Sequence, residues 1–411
     1  MYPLRTTLAD RAYYGWFVVV ACFLASVVVF GTTYAFSVFY DPFVHAFHGS
    51  STLLAVVFGV QTALIYASGV GVSRVVSTHG PRRVAAWSSL LLFAGLVGTA
   101  FAHAYLTLLL SFGVVAAVGM AGLYNVSYAT LPRWFERRRG TATGLASAGL
   151  GVGLVVIPPG TDALIRAFGW RSAVLALAGF VAILSVVVVA LFADRPSEVG
   201  ADPSVEFPNG RATDGGDGES GRNVRAVVTS APFLVVLAGW TMVFSPLYVV
   251  LGHVVRHTAE SGLGRATGVL SIAVIGVTTT AARVVVGPAS DRIGRPRTFV
   301  ACSVLLGSAT IAVAYAPTPP VLLATVAVFG IGYAGCGGLI GAVTADLFGE
   351  QSLNALFAVL SLSFGIAGLI SPPLAGFWFE QAGTYNPVFL SFGVVGILGG
   401  GLVATGVRLT A

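Results

Sequence analysis

The stretch Ala173-Val-Leu-Ala-Leu-Ala-Gly-Phe-Val-Ala-Ile-Leu-Ser-Val-Val-Val-Val-Ala-Leu-Phe-Ala193 holds no charged residue, and Ser185 is its one polar side chain. At about 1.5 Å of rise per residue, a helix of this length crosses the roughly 30 Å hydrocarbon core of a bilayer. An unbroken apolar run also excludes a membrane β-barrel, whose strands alternate apolar and polar residues over about 10 positions. The whole chain has the same character: 56% of its 411 residues are hydrophobic, 9% are charged, and the mean hydropathy is +0.88. Soluble domains devote about a quarter of their residues to Asp, Glu, Lys and Arg. The deficit excludes a soluble enzyme and gives no reason to expect a nucleic-acid partner; membrane lipid is the expected environment.

Immediately after Ala193 the composition reverses. In residues 194–225, 11 of 32 positions are charged and Gly, Pro, Ser and Asp dominate, which reads as a disordered linker. Hydropathy places spans near 15–40, 52–76, 84–102, 106–131, 141–160 and 172–193 before it. After it come 230–255, 265–289, 298–316, 321–345, 353–377 and 387–407. The expected fold is an all-α membrane protein with 12 transmembrane helices in two pseudo-symmetric six-helix bundles, residues 1–193 and 226–411. The first apolar run, from Gly15 to Phe39, is too long for the core of a cleaved signal peptide and reads as a retained span.

All 22 basic residues are Arg. With both termini cytoplasmic, 17 of them fall in cytoplasmic segments, against Arg166, Arg171, Arg256 and Arg265 on the other side and Arg283 within a span. The positive-inside rule therefore predicts a multi-pass protein of the cell membrane with both termini and the linker cytoplasmic. The cluster at residues 133–139 reads as one such anchor. Cys22, Cys302 and Cys336 each lie in an apolar run and show no disulfide or zinc spacing.

The two halves echo each other. The loop after the eighth span reads Gly287-Pro-Ala-Ser-Asp291-Arg292-Ile-Gly294-Arg295, and the loop after the second ends Ser77-Thr-His-Gly80-Pro-Arg82-Arg83. A loop repeated at equivalent positions signals a duplicated transporter. Here the chain resembles the major facilitator superfamily, whose signature loop is G-x-x-x-D-R-x-G-x-R. The second copy keeps the Asp-Arg pair, whereas Ser73, Ser77 and Thr78 replace Gly, Asp and Arg in the first. The resemblance implies that the loop latches the cytoplasmic side, with Asp291 and Arg292 as gating residues and Arg82 and Arg83 as their weaker counterparts.

Glycine supplies 52 residues and clusters at Gly149, Gly151 and Gly153, and again at Gly335, Gly337, Gly338 and Gly341. Small residues let helix backbones approach closely in lipid, so static packing is the first reading and hinges the second. Pro158-Pro159, Pro246 and Pro372-Pro373 are expected to kink their helices.

Arg283 is the one Arg well inside an apolar span, with no acid within a helical turn. Snorkelling toward Asp291, about 12 Å of helix rise away, is the plain structural explanation. Gly276, Thr279, Thr280 and Gly287 share its stripe, however, and a planar guanidinium without a resident acid suits a bidentate carboxylate. Tyr124 and Tyr128 share a face with Asn125 beside them, and Tyr34, Tyr248 and Tyr333 sit within other spans. Packing explains each aromatic taken singly, whereas an amide in the bilayer core needs partners. His253 and His257 are four apart but lack a third ligand, so no metal is expected; His253 reads as a cavity residue or proton acceptor.

Several stretches narrow the resemblance to the monocarboxylate transporter and oxalate:formate antiporter branch. They are Gly15-Trp-Phe-Val-Val-Val, Tyr34-Ala-Phe-Ser-Val-Phe39, Pro132-Arg-Trp-Phe-Glu-Arg-Arg-Arg-Gly140, Gly144-Leu-Ala-Ser-Ala-Gly149, the run from Arg283 to Arg295, and Ala345-Asp-Leu-Phe-Gly349. The resemblance implies that Arg283 holds a substrate carboxylate, with Tyr34, Tyr124 and His253 in matching contexts. Two departures stand out. Phe364, before Gly365-Ile-Ala, occupies the place of the antiporters' second cation, which argues against a dicarboxylate. Thr279 occupies the place of an acid in animal-type relatives, and the first span carries no charge. The expected function is secondary active transport of a small organic anion, a monocarboxylate first, coupled to a proton or a counter-anion, by a monomer without cofactor. The alternative is an exporter of another solute such as a hydrophobic compound. A membrane enzyme would need a nucleophile with its base or a metal set, and neither is present in the sequence.

Overall fold

The computed structural model describes residues 13–135, 138–194, 199, 220–349 and 353–410. Among them the chain is helical throughout: α1 (Gly15–Phe47), α2 (Ser51–Ala67), α3 (Gly69–His79), α4 (Pro81–Ala100), α5 (Tyr105–Thr130) and α6 (Arg139–Leu191) form the first bundle. A short helix, α7 (Ser220–Val228), leads into the second: α8 (Ala231–Glu260), α9 (Arg265–Ile293), α10 (Arg295–Ala314), α11 (Pro319–Phe348), α12 (Leu353–Leu360), α13 (Leu362–Ala382) and α14 (Asn386–Thr410). Ten helices, or helix pairs in one line, are long and apolar enough to cross a membrane. One of them is α6, bent at Gly169 (φ 79°) into two limbs, and α2 is a shorter apolar helix. With the two limbs and α2 counted separately, twelve apolar segments result, matching the twelve expected spans.

Most of the 194–225 linker lies outside the described residues. Its first residue is anchored, because Asp194 Oδ1 accepts a hydrogen bond from the Arg82 backbone N–H at 3.0 Å. Residues 220–225 belong to α7 rather than to an irregular linker. The two signature loops share a turn. Gly80 (φ 81°) and Gly294 (φ 102°) each end a helix in the left-handed region, and a Pro at N1 or N2 starts the next.

The most extensive contacts between the bundles are α2 along α13 and the first limb of α6 along α9, with α1 against α8 a smaller one. Lipid offers no hydrophobic drive between helices, so contact depends on close backbone approach. A Cβ on Gly276 would lie 2.6 Å from the carbonyl oxygen of Gly151, and one on Gly59 would lie 2.9 Å from that of Leu369. The Leu369 carbonyl faces Gly59 because Pro373, inside α13, cannot donate to it. Gly149, Gly151 and Gly153 all serve such contacts, two of them against α1. Of the second glycine cluster only Gly335 is tightly packed, against Cys302, whereas nothing lies within 4 Å of a Cβ on Gly338.

Candidate solute site and its two ends

Along both long seams the bundles touch at one end and part at the other. On α2 and α13 the contacts run from Ser51 against Gly376, through Gly59 and Thr62 against Gly368, to Tyr66 against Gly365. On α6 and α9 they run from Asp162 with Arg265, through Gly151 with Gly276 and Thr280, to Ser147 with Arg283. Beyond these points, toward the end that carries Tyr13 and Thr410, Gly140, Gly144 and Gly287 have nothing within 4 Å of a Cβ. The cleft therefore opens at the termini end, and Arg283 stands where it closes.

The Arg283 guanidinium does not run down its helix toward Asp291. It crosses the cleft, and Nη1 donates to the Ser147 carbonyl at 3.2 Å. Nε is buried and has no hydrogen-bond partner among the described residues. No carboxylate pairs with Arg283 among the described residues. Five tyrosines feel its charge: Tyr34, Tyr66, Tyr124, Tyr128 and Tyr333. A half-buried cation without a counter-ion is costly in a bilayer, and an anion entering the cleft would relieve it.

Four of these tyrosines, all but Tyr333, belong to a chain of aromatic rings. Phe244 stacks on Phe364 at 4.1 Å between centroids, and Phe364 stacks on Tyr66 at 5.0 Å across the boundary between bundles. Tyr66 meets Tyr124 edge-on at 5.4 Å, and Tyr124 leans on Tyr128 at 4.8 Å. Phe30, Tyr34, Phe58 and Tyr248 continue the chain. The Tyr248 hydroxyl is buried and has no hydrogen-bond partner among the described residues.

Other candidates from the sequence sit elsewhere. Thr279 is buried and donates to the Gly330 carbonyl at 3.1 Å, tying α9 to α11 rather than facing the cleft. Asn125 donates to the Ala121 carbonyl of its own helix at 2.7 Å, and its Oδ1 faces Gly69. His253 is fully buried near the other end, with Nδ1 3.1 Å from the Tyr385 hydroxyl and Nε2 3.2 Å from the Pro372 carbonyl. The carbonyl only accepts, so Nε2 carries the proton and Nδ1 accepts from Tyr385.

At the termini end, the ion pairs seen among the described residues lie within a bundle. Arg295 holds Asp291 at 3.2 Å and Asp346 at 3.0 Å, while Arg292 and Arg83 are exposed. Arg82 Nε donates to the Val189 carbonyl at 3.2 Å. At the opposite end, charges pair across the bundles. Arg265 of α9 meets Asp162 of α6 at 2.9 Å and Asp41 of α1 at 3.2 Å, and donates to the Val38 carbonyl at 2.6 Å. Arg256 of α8 donates to Ser51 Oγ at 2.7 Å, and Glu380 of α13 accepts from the Thr52 backbone N–H and hydroxyl. Neither this lattice nor Tyr66 emerges from the sequence reading. For Asp41 and Asp162, lone acids inside apolar helices were the available signal; for Tyr66, one tyrosine among many offered none.

Residues 22–281 and 258–410 match the family described as Major Facilitator Superfamily. The chain is 26% identical to monocarboxylate transporter 13 of Bos taurus, over 95% of this chain and 89% of that one. To monocarboxylate transporter 11 of Mus musculus it is 27% identical, covering 92% and 84%. Its backbone superposes with a TM-score of 0.75, at 15% identity, on a bacterial homologue of the human lysosomal transporter Spinster solved in an inward-facing, unoccupied conformation, covering 97% and 98%.

Proposed function

From a chain that belongs to the Major Facilitator Superfamily, and is thus a multi-pass membrane transporter of small solutes, we propose transport of a small organic anion, a monocarboxylate first, held by Arg283. The observation that carries this reading is the guanidinium itself. It stands at the closed point of the cleft with Nε unpartnered and no acid beside it among the described residues, within electrostatic reach of five tyrosines. The similarity to monocarboxylate transporters supports the same solute class. Phe364, stacked between Phe244 and Tyr66 where a second cation would serve a dicarboxylate, favours a single charge.

Both termini face the cytoplasm in this reading, which the 17-to-4 distribution of Arg supports, so the cleft opens inward. The lattice around Arg265 then seals the outer side, and transport alternates the two ends. A proton or a counter-anion drives the cycle.

The test is uptake of labelled L-lactate, pyruvate and oxalate by reconstituted vesicles, with and without a pH gradient, for the parent and two variants. Arg283→Gln should lower monocarboxylate affinity by roughly ten- to a hundredfold, the value of a charge-assisted contact of about 1.5–3 kcal/mol. Arg283→Lys should retain weak binding, because it keeps the charge and loses the two-pronged geometry. Unchanged affinity in an inserted Arg283→Gln protein would refute the assignment and leave export of a neutral hydrophobic solute as the better reading.

A further inference from the structure

Outside the cleft, the termini end of the second bundle carries a groove of about 430 Å3, within the size range of ligand sites. It forms where four helix ends meet: α7 stops at Val228, Ser230 caps α8, α11 stops at Phe348 and α14 reaches Thr410. Phe348 packs on Phe233 of α8 at 5.3 Å, and Gly406 of α14 seats on Val236, which holds these ends together. Val227, Pro232, Leu347, Phe348 and Leu409 make the lining largely apolar. α7 is amphipathic: Val224, Val227 and Val228 pack against the bundle, while Arg225 and Thr229 on its other side are exposed. A helix of this kind at the edge of a bilayer lies in the interface. Leu234 and Leu409, 50% and 56% exposed, turn apolar surface outward beside it. Arg225 and Arg408 are both exposed, and each is next in sequence to a residue of the groove. Neither pairs with a carboxylate among the described residues, and Asp346, beside Leu347, is already held by Arg295 at 3.0 Å.

We infer that this groove binds an anionic phospholipid of the surrounding membrane, with its phosphate between Arg225 and Arg408 and the upper part of an acyl chain against Val227, Phe348 and Leu409. A guanidinium takes two oxygens of a phosphate at once, and a basic helix face at a membrane surface attracts anionic headgroups. A soluble anion would use the two arginines and gain nothing from the apolar lining. A zwitterionic lipid would fill the lining but bring its own cation to the arginines. Only the anionic lipid satisfies both. Exposed arginine alone does not mark such a site: Arg292 and Arg297 at the same end are exposed too, but neither adjoins a groove residue. The bound lipid ties α7, which follows the linker, to the last turn of α14. The site shares no residue with the cleft around Arg283, and the inference stands whichever solute is carried.

The test uses the purified full-length protein in a neutral detergent and reads the first bound lipid by native mass spectrometry. The probes are dioleoyl phosphatidylglycerol, dioleoyl phosphatidylcholine and, as a headgroup without chains, glycerol phosphate. Phosphatidylglycerol should bind in preference to phosphatidylcholine, and glycerol phosphate should not displace it. Arg225→Gln and Arg408→Gln should each weaken phosphatidylglycerol binding about fivefold, and the double variant about thirtyfold. Lys at both positions should retain most of the affinity, and Arg297→Gln should leave it unchanged. Ala226→Trp, at an exposed groove residue, fills the space without altering charge and should weaken binding as well. Equal affinity for the two lipids, or unchanged binding in the double variant, would overturn the inference. Displacement by glycerol phosphate would overturn it too, by making the site one for a soluble anion. Should the arginine variants fail to insert, Ala226→Trp decides alone: parent affinity with the groove filled would show that the lipid sits elsewhere.

Discussion

The two ends of the molecule use the same kinds of charged residue in opposite ways. At the Asp162 end, acids of the first bundle pair with arginines of the second: Asp162 and Asp41 with Arg265, and Asp41 also with Arg256. At the termini end, Arg295 takes both Asp291 and Asp346 within the second bundle, and Arg82 contacts residues of the first. Among the described residues, ion pairs cross the boundary at the clamped end alone, where Arg166 with Asp162 and Arg256 with Glu260 also pair within a bundle. The crossing pairs therefore mark which end is shut in this conformation.

The largest effect should follow from removing Arg265. Asp162 is almost fully buried, at 2% side-chain exposure, and would keep only Arg166, which is 64% exposed. Leaving a buried carboxylate short of its partner costs about 3 kcal/mol, so Arg265→Ala should shift the balance roughly a hundredfold toward a state open at the Asp162 end. Alkylation of a cysteine placed at Ser51, now buried in the α2–α13 contact, would follow that opening. Asp162→Asn combined with Arg265→Gln should recover part of the closure, because the buried charge is then absent.

A steric test is expected to be somewhat weaker. Gly276→Val places a side chain 2.6 Å from the Gly151 carbonyl and should cost roughly 1–3 kcal/mol of the present state, read as a lower melting temperature. Gly287→Val finds nothing within 4 Å of its Cβ in this state and should leave the melting temperature near the parent value. Equal losses in the two variants would remove the distinction between a closed and an open seam.

The smallest effect on stability belongs to the open end. Asp291 and Arg295 are 63% and 40% exposed, and ion pairs of that kind contribute about 0–1 kcal/mol. Asp291→Asn should therefore melt close to the parent, yet slow exchange more than it alters solute binding if this loop gates the termini end. Unchanged exchange would place the gate elsewhere.

Arg283 was legible because charge within an apolar run is rare and costly, so one such residue is informative by itself. The stripe it shares with Gly276 and Gly287 was legible for a similar reason: helical periodicity puts residues three and four apart on one face. The same rule could not say which face meets which neighbour. Thr279, adjacent in register to that stripe, faces Gly330 of α11, and His253 is enclosed by Tyr385 and Pro372 near the Asp162 end. Tyr66 reaches the site only because α2 packs along α13, which sets it on Phe364. Asp41 and Asp162 are separated in sequence by most of the first bundle and meet only at the Arg265 guanidinium.

By itself, the sequence determined the membrane, the number of apolar segments and the position of the unpaired cation, because each follows from transfer energies local to one helix. Which end is clamped, which arginine crosses the boundary and which glycines are packed or vacant were decided only in the tertiary structure. Lipid is as apolar as the helices it surrounds, so hydropathy does not choose between one helix–helix contact and another. That choice is made by backbone approach at Gly151 and Gly276 and by directed bonds such as that from Arg265 to Asp162, which depend on positions far apart in the chain.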